Sequence, residues 1–299
     1  MLYSYYICDV FTDALFGGNQ LAVLPEAAGL RDEQMQQIAR EFNFSETAFV
    51  LPPEGGQSHR VRIFTPTNEV PFAGHPNIGT AFILASTDRL GAFDATITVT
   101  FEEKAGMVPM TIRKSSEGRI WCELKAPQHL YLGKSISAQL VAAAVSLSTN
   151  DLVVTTHAPL IASIGLPFLL VEVKDRDALK RARPNINGFE SLVAVGVEPP
   201  YVHLYVKTAD GFDLRTRMFS PLDGILEDPA TGSANCALVG LLSHYNKVDT
   251  GNFYWRIAQG VEMGRPSVLE ARTERRDNVV TNVWIGGECV LFSRGVIEV

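Results

Sequence analysis

The chain has 299 residues, of which 46% are hydrophobic and 20% charged, and its formal net charge is −7. That length and balance suit one large or two ordinary globular domains and exclude disordered and fibrous classes. The acidic balance, with no run of Lys and Arg to offset it, argues against nucleic acid or an anionic membrane as partner, because both are held mainly by basic patches.

Along the chain, the first nine residues carry no basic stretch and too short an apolar run for a signal peptide. Residues 31–42 place Met35, Ile38, Ala39 and Phe42 at helical spacing and predict a helix. Short runs rich in β-branched and aromatic residues predict strands over 48–51, 61–64, 96–101, 120–124, 169–173 and 202–206. Two Gly-rich motifs precede apolar segments expected to be helical over 77–85 and 235–244. The apolar stretches around 140–147 and 160–173 are broken by Ser, Gly or Pro, and neither approaches the ~20 residues of a membrane span. Residues 125–128 (Lys-Ala-Pro-Gln) form the best linker.

Cys8, Cys122, Cys236 and Cys289 show no CxxC pairing, which suits a reducing cytosol and structural thiols. The six histidines have no metal-ligand spacing, and no Gly-rich nucleotide motif is present. Neither a metal nor a cofactor is expected.

The chain repeats itself once. Arg62, Phe64 and Pro66 match Arg217, Phe219 and Pro221 at an offset of 155; after a short insertion, Glu69, Pro71, Gly74 and Asn77 match Glu227, Pro229, Gly232 and Asn235 at 158. A weaker echo relates the turn at Gly18-Asn19 and the apolar run after it to Gly165-Leu166, at an offset of 147. A duplicated α+β domain follows, each half a sheet curled around one long buried helix.

Each motif ends a strand, passes a proline and turns on glycine into a helix start. Free backbone N–H groups and the helix dipole there suit a carboxylate or a developing oxyanion. Small residues at a helix start also arise from packing alone. The polar positions differ between the copies: His75 is equivalent to Ser233, and Asp228 to Val70. Two such starts facing each other across a cleft would grip a small, asymmetric acid from both sides. Glu46 lies between an aromatic turn and an apolar strand, where apolar walls would raise its pKa and suit it to proton transfer. A solvated carboxylate at a strand edge fits the same local sequence.

SETAFV from Ser45, FTPTNEVPFAGHP from Phe64 and EDPATGSA from Glu227, with Asp9-Val10-Phe11-Thr12 and Gly18-Asn19, resemble the signature of the PhzF (phenazine-biosynthesis-like) family over nearly the whole chain. The resemblance implies a duplicated diaminopimelate-epimerase-like fold with the active site between the halves. Residues 1–127, completed by a last strand over about 291–299, form the first half, and residues 128–290 the second. It also implies that Glu46 removes and redelivers a proton, with His75, Asp228 and Ser233 positioning the substrate and assisting. Gly74 and Gly232 offer backbone N–H groups, and Ser45 and Asn19 complete the binding set. Gln20 departs from the proline common after Gly-Asn in the family, which bears on local substrate contacts. The family's best-known reaction isomerises trans-2,3-dihydro-3-hydroxyanthranilate by moving a proton from C3 to C1, and its members imply a cytosolic homodimer.

A two-thiol racemase on the same fold needs a cysteine at each Gly motif, where this chain has Ala73 and the stretch from Asp228 to Thr231. A binding protein that has lost turnover is the non-enzymatic rival, and the joint presence of Glu46, His75, Asp228 and Ser233 argues against it.

Overall fold

A computed structural model describes all 299 residues, Met1–Val299. The chain forms two compact units, one of Met1–Pro127 with Ile285–Val299 and one of Gln128–Trp284. In the first, β1 (Leu2–Val10) and β2 (Asn19–Leu24) pair antiparallel. Helix α1 (Asp32–Phe42) crosses to β3 (Glu46–Leu51), parallel to β2. Antiparallel strands β4 (His59–Phe64) and β5 (Glu69–Val70) follow. Helix α2 (Gly74–Ser86) then crosses to β6 (Thr96–Glu103), parallel to β4. An antiparallel meander through β7 (Gly106–Lys114) and β8 (Ile120–Lys125) follows.

The second unit opens with β9 (Tyr131–Ser135), α3 (Ala138–Ala144) and β10 (Leu152–Val153). From there it repeats the order of the first. Strands β11 (Leu160–Ser163) and β12 (Pro167–Val173) pair antiparallel. Helices α4 (Arg176–Arg181) and α5 (Ile186–Ala194) fill the crossover to β13 (Val202–Lys207), parallel to β12. Strands β14 (Leu214–Ser220) and β15 (Ile225–Asp228) follow antiparallel. Helix α6 (Gly232–His244) crosses to β16 (Gly251–Gln259), parallel to β14, and β17 (Ser267–Arg276) returns antiparallel. The last strand, β18 (Val279–Glu298), runs unbroken from the second unit into the first, where it pairs with β1 and β8. The change of unit comes at Ile285, earlier than residue 291, with no turn to mark it.

Strand register makes the duplication explicit. Thr47 faces Phe64 on one side and Ala22 on the other, and Val202 faces Phe219 and Leu169. The two sets are related by the 155 and 147 offsets of the sequence repeat, so the weaker echo is a structural equivalence. The residues shared by the copies build the scaffold. Arg62 makes two bonds of 2.8 Å to Glu69, and Arg217 makes bonds of 2.8 and 2.7 Å to Glu227. Each guanidinium also lies over the next aromatic ring, Phe64 or Phe219. Asn77 Nδ2 donates to the Ala73 carbonyl at 2.9 Å, and Asn235 Nδ2 to the Thr231 carbonyl at 3.0 Å, tying each first helical turn to its cap.

Helices α2 and α6 have no solvent-facing polar stripe and are buried from end to end almost without interruption. A helix without a polar stripe belongs inside its sheet. Gly79 permits that packing in the first unit, because a Cβ there would sit 2.5 Å from Leu21 and 2.8 Å from Val10. Helix α1 is amphipathic instead. It buries Met35, Ile38 and Ala39, and it ends at Asn43 in the left-handed region, whose N–H reaches the Ala39 carbonyl.

Two expectations are corrected. The central helices start three residues earlier than expected, at Gly74 and Gly232, so these glycines are first helical residues rather than turns. Pro76 is accommodated because the first-turn N–H it lacks has no intrahelical partner. The second unit also carries α3, α4 and α5 beside its long helix. These shorter helices close a second apolar cluster that includes Val141, Leu179, Phe189, Leu192 and Phe219.

Candidate active site

In the first unit, β2, β3 and α2 bring together Asn19, Glu46 and His75. Each lies at or next to the first residue of its element. Gly18 makes the entry possible: its φ is +62° and a Cβ would lie 2.3 Å from the Val10 carbonyl oxygen, so the chain turns tightly into β2. Asn19 and His75 are buried, while the Glu46 side chain keeps 18% of its surface exposed. Nδ1 of His75 lies 3.3 Å from Asn19 Nδ2 and 3.4 Å from Glu46 Oε2.

Burial pushes the His75 imidazole down to about 3, with a bond to the Gln20 backbone opposing it in part. The ring is therefore neutral near pH 7, and its contact with Glu46 is a polar contact rather than an ion pair. A neutral ring has one nitrogen that donates and one that accepts. Nδ1 can accept from Asn19 in one tautomer and donate to Glu46 in the other. Nε2 is buried without a protein partner. Glu46 thus has polar neighbours as well as the aromatic turn containing Phe42 and Phe44, whose rings stack 6.1 Å apart. Ser45 precedes it, partly buried.

In the second unit, β15 ends on Asp228, Thr231 caps α6, and Ser233 is the second helical residue, as His75 is in α2. All three are buried. Thr231 Oγ1 donates to Asp228 Oδ2 at 2.5 Å. Gln259, the last residue of β16, is fully buried among them. Its Nε2 donates to the Asp228 carbonyl and to Thr231 Oγ1, both at 2.9 Å, and its Oε1 accepts from Thr231 N–H at 3.1 Å and Asn235 Nδ2 at 2.8 Å. The structure therefore gathers Asn19, Ser45, Glu46, Gly74 and His75 at one helix start, and Asp228, Gly232 and Ser233 at the other. Sequence reasoning missed Thr231 and Gln259. Thr231 stood inside the quoted EDPATGSA, whereas Gln259 is distant in sequence from either motif.

All four cysteines are free and buried. Burial pushes Cys8, Cys122 and Cys289 upward, away from reactive thiolates. Cys236 lies beyond the first turn of α6, one residue after Asn235. No group of three or more His, Cys, Asp and Glu side chains is arranged to hold a metal. No helix is long and apolar enough to cross a membrane.

The sequence profile of phenazine biosynthesis-like proteins matches residues 8–295. The trans-2,3-dihydro-3-hydroxyanthranilate isomerase of Pseudomonas fluorescens is 34% identical, with 99% of each chain covered. An uncharacterised isomerase of Mesorhizobium japonicum is 35% identical, covering 98% of this chain and 97% of its own. Among solved structures, a PhzF-family phenazine biosynthesis protein of Bacillus anthracis superposes with a TM-score of 0.88 at 26% identity, each chain covered completely. A hydroxyproline epimerase of Agrobacterium vitis shares the fold at 13% identity, with a TM-score of 0.69 over 99% of this chain and 91% of its own. The architecture is the α+β, diaminopimelate-epimerase-like fold.

Proposed function

The chain belongs to the phenazine biosynthesis-like (PhzF) family of isomerases, and from that premise we propose that it moves a proton on a small cyclic amino or hydroxy acid of the trans-2,3-dihydro-3-hydroxyanthranilate type. Glu46 is the acid/base in this reading. The observation that carries it is the contact of the partly exposed Glu46 carboxylate with the buried, neutral His75. The neutral ring contacts the carboxylate without setting a positive charge beside it.

Glu46 takes a proton from a ring carbon, the electron pair of that C–H bond shifts into the adjoining π system, and the same carboxyl returns the proton to another carbon. Nothing is oxidised or reduced. His75 orients Glu46 through Nδ1 and offers Nε2 to a substrate N–H or O–H. Asp228 is an acceptor for a substrate donor. The Ser233 hydroxyl and the backbone N–H groups of Gly74 and Gly232 suit the substrate carboxylate, since first-turn N–H groups have no helical partner.

Incubation of trans-2,3-dihydro-3-hydroxyanthranilate with the protein in D2O tests this. Carbon-bound deuterium is expected with the wild type. Its rate should fall about 10²- to 10⁴-fold in Glu46→Gln, the range of general acid–base contributions. Exchange that persists in Glu46→Gln removes the assigned base, and binding with neither exchange nor isomerisation favours the non-catalytic reading. The proposal includes a cytosolic homodimer. Light scattering at a monomer mass of 32.7 kDa would remove that part.

A further inference from the structure

We infer that Thr231 and Gln259 are positioning residues for Asp228, holding its carboxylate as an oriented hydrogen-bond acceptor at the start of α6. The inference rests on the reading that Asp228 serves the reaction.

Hydrogen-bond directions within this cluster are fixed by valence. Gln259 Oε1 faces two obligate donors, the Thr231 N–H at 3.1 Å and the Asn235 amide at 2.8 Å. A reversed amide would set donors against donors, so the orientation of Gln259 is determined. Its Nε2 then donates both protons, one to the Asp228 carbonyl and one to Thr231 Oγ1. With its oxygen already accepting, the Thr231 hydroxyl directs its own proton to Asp228 Oδ2, 2.5 Å away. The bonds run in one direction, from Gln259 through Thr231 to the carboxylate. The backbone under Asp228 is held as well, since Ser267 Oγ donates to the Pro229 carbonyl at 2.9 Å. A carboxylate so held has one preferred rotamer before any substrate arrives.

The other copy of the domain is an internal control. Arg60 faces Glu102 across β4 and β6, and Arg215 faces Ala258 across β14 and β16. Arg60 and Arg215 are equivalent by the repeat, so the next residues, Glu103 and Gln259, are equivalent too. Asp228, Thr231 and Gln259 thus correspond to Val70, Ala73 and Glu103. Where the first unit has no carboxylate to orient, it lacks the hydroxyl and the amide that orient it. Glu103 lies against Asn77, and burial pushes its carboxyl well above the usual carboxylate range. The three positions differ as a set, while the asparagine on which both sets rest is shared.

The test compares Thr231→Ala, Thr231→Ser, Gln259→Glu and Asp228→Asn in the D2O exchange assay. Thr231→Ala should lower turnover roughly 10- to 100-fold, the effect of losing one hydrogen bond to a charged group, with the melting temperature little changed. Thr231→Ser should restore most of it. In an Asp228→Ala background, Thr231→Ala should cause almost no further loss, because the acceptor it orients is gone. A full additional loss there, or equal impairment by Ala and Ser, overturns the positioning role. An Asp228→Asn variant with wild-type exchange instead removes the function of Asp228, a separate failure. The free protein supplies an arm independent of turnover: the Asp228 carboxyl carbon-13 resonance should move in Thr231→Ala and return in Thr231→Ser. An unmoved resonance overturns the proposal, whether or not Gln259→Glu folds.

Discussion

At the start of α2 the chain sets His75 beside Glu46 and Asn19; at the start of α6 it sets Asp228 in a bonded series with Thr231 and Gln259. The two sites descend from one design, as register shows, and they differ where chemistry would act. Positions identical in both copies, Arg62/Arg217, Glu69/Glu227 and Asn77/Asn235, hold strands and helix caps in place. Positions that differ, His75/Ser233 and Val70/Asp228, carry the side chains assigned to the reaction in the proposed function. On that reading the shared side chains are support and the divergent ones act, while the shared glycines Gly74 and Gly232 offer only backbone.

The comparison can be broken first on its shared part. Arg217 is 3% exposed at its side chain, Arg62 12%. Arg217 also donates to the Leu179 and Ala182 carbonyls, each at 2.8 Å. Removing it as Arg217→Met strands Glu227 and should destabilise by about 3–5 kcal/mol, as for a broken buried pair. Arg62→Met should cost less, about 1–2 kcal/mol, because Glu69 keeps Lys104 and Arg62 itself is the less buried of the two arginines. Urea unfolding measures both, and equal losses would mean that burial does not separate the two copies.

A smaller effect sharpens the contrast through pH. His75 in the first unit is pushed down to about 3 and His203 in the second to about 4, both mainly by burial. A buried neutral histidine contributes its full stability above the unfolded value, near 6.5, and loses it progressively as pH falls toward the folded value. Stability should therefore decline between pH 6.5 and 3, less steeply in His75→Gln. Urea midpoints across that range check the slope, and an unchanged slope would leave the neutral state of His75 without support.

Much of this architecture could be read from residues alone, for identifiable reasons. Met35, Ile38 and Ala39 on one face foretold α1, and the Arg-Phe-Pro and Glu-Pro-Gly-Asn spacings foretold the duplication. The central helices were expected too late because Gly-His-Pro and Gly-Ser read as loop, although proline in a first turn costs no helical bond. Helices α3, α4 and α5 have seven, six and nine residues, too few for a periodic pattern to stand out. Glu46, His75, Asp228 and Ser233 stood in or beside recognisable motifs. Gln259 did not: its equivalence to Glu103 rests on which strands lie side by side.

Strand β18 has a consequence for synthesis on the ribosome. Chains fold as they emerge, the earliest part generally first. Here the first unit takes in a strand segment made after all of the second unit, since residues 289–298 pair with β1, with Leu2 facing Glu298 and Val10 facing Cys289. Until those residues are made, β1 lacks that neighbour and presents an open edge, the feature that invites pairing with another chain. The unit carrying Glu46 is thus closed last, after the unit carrying Asp228 has had its whole sequence available to fold.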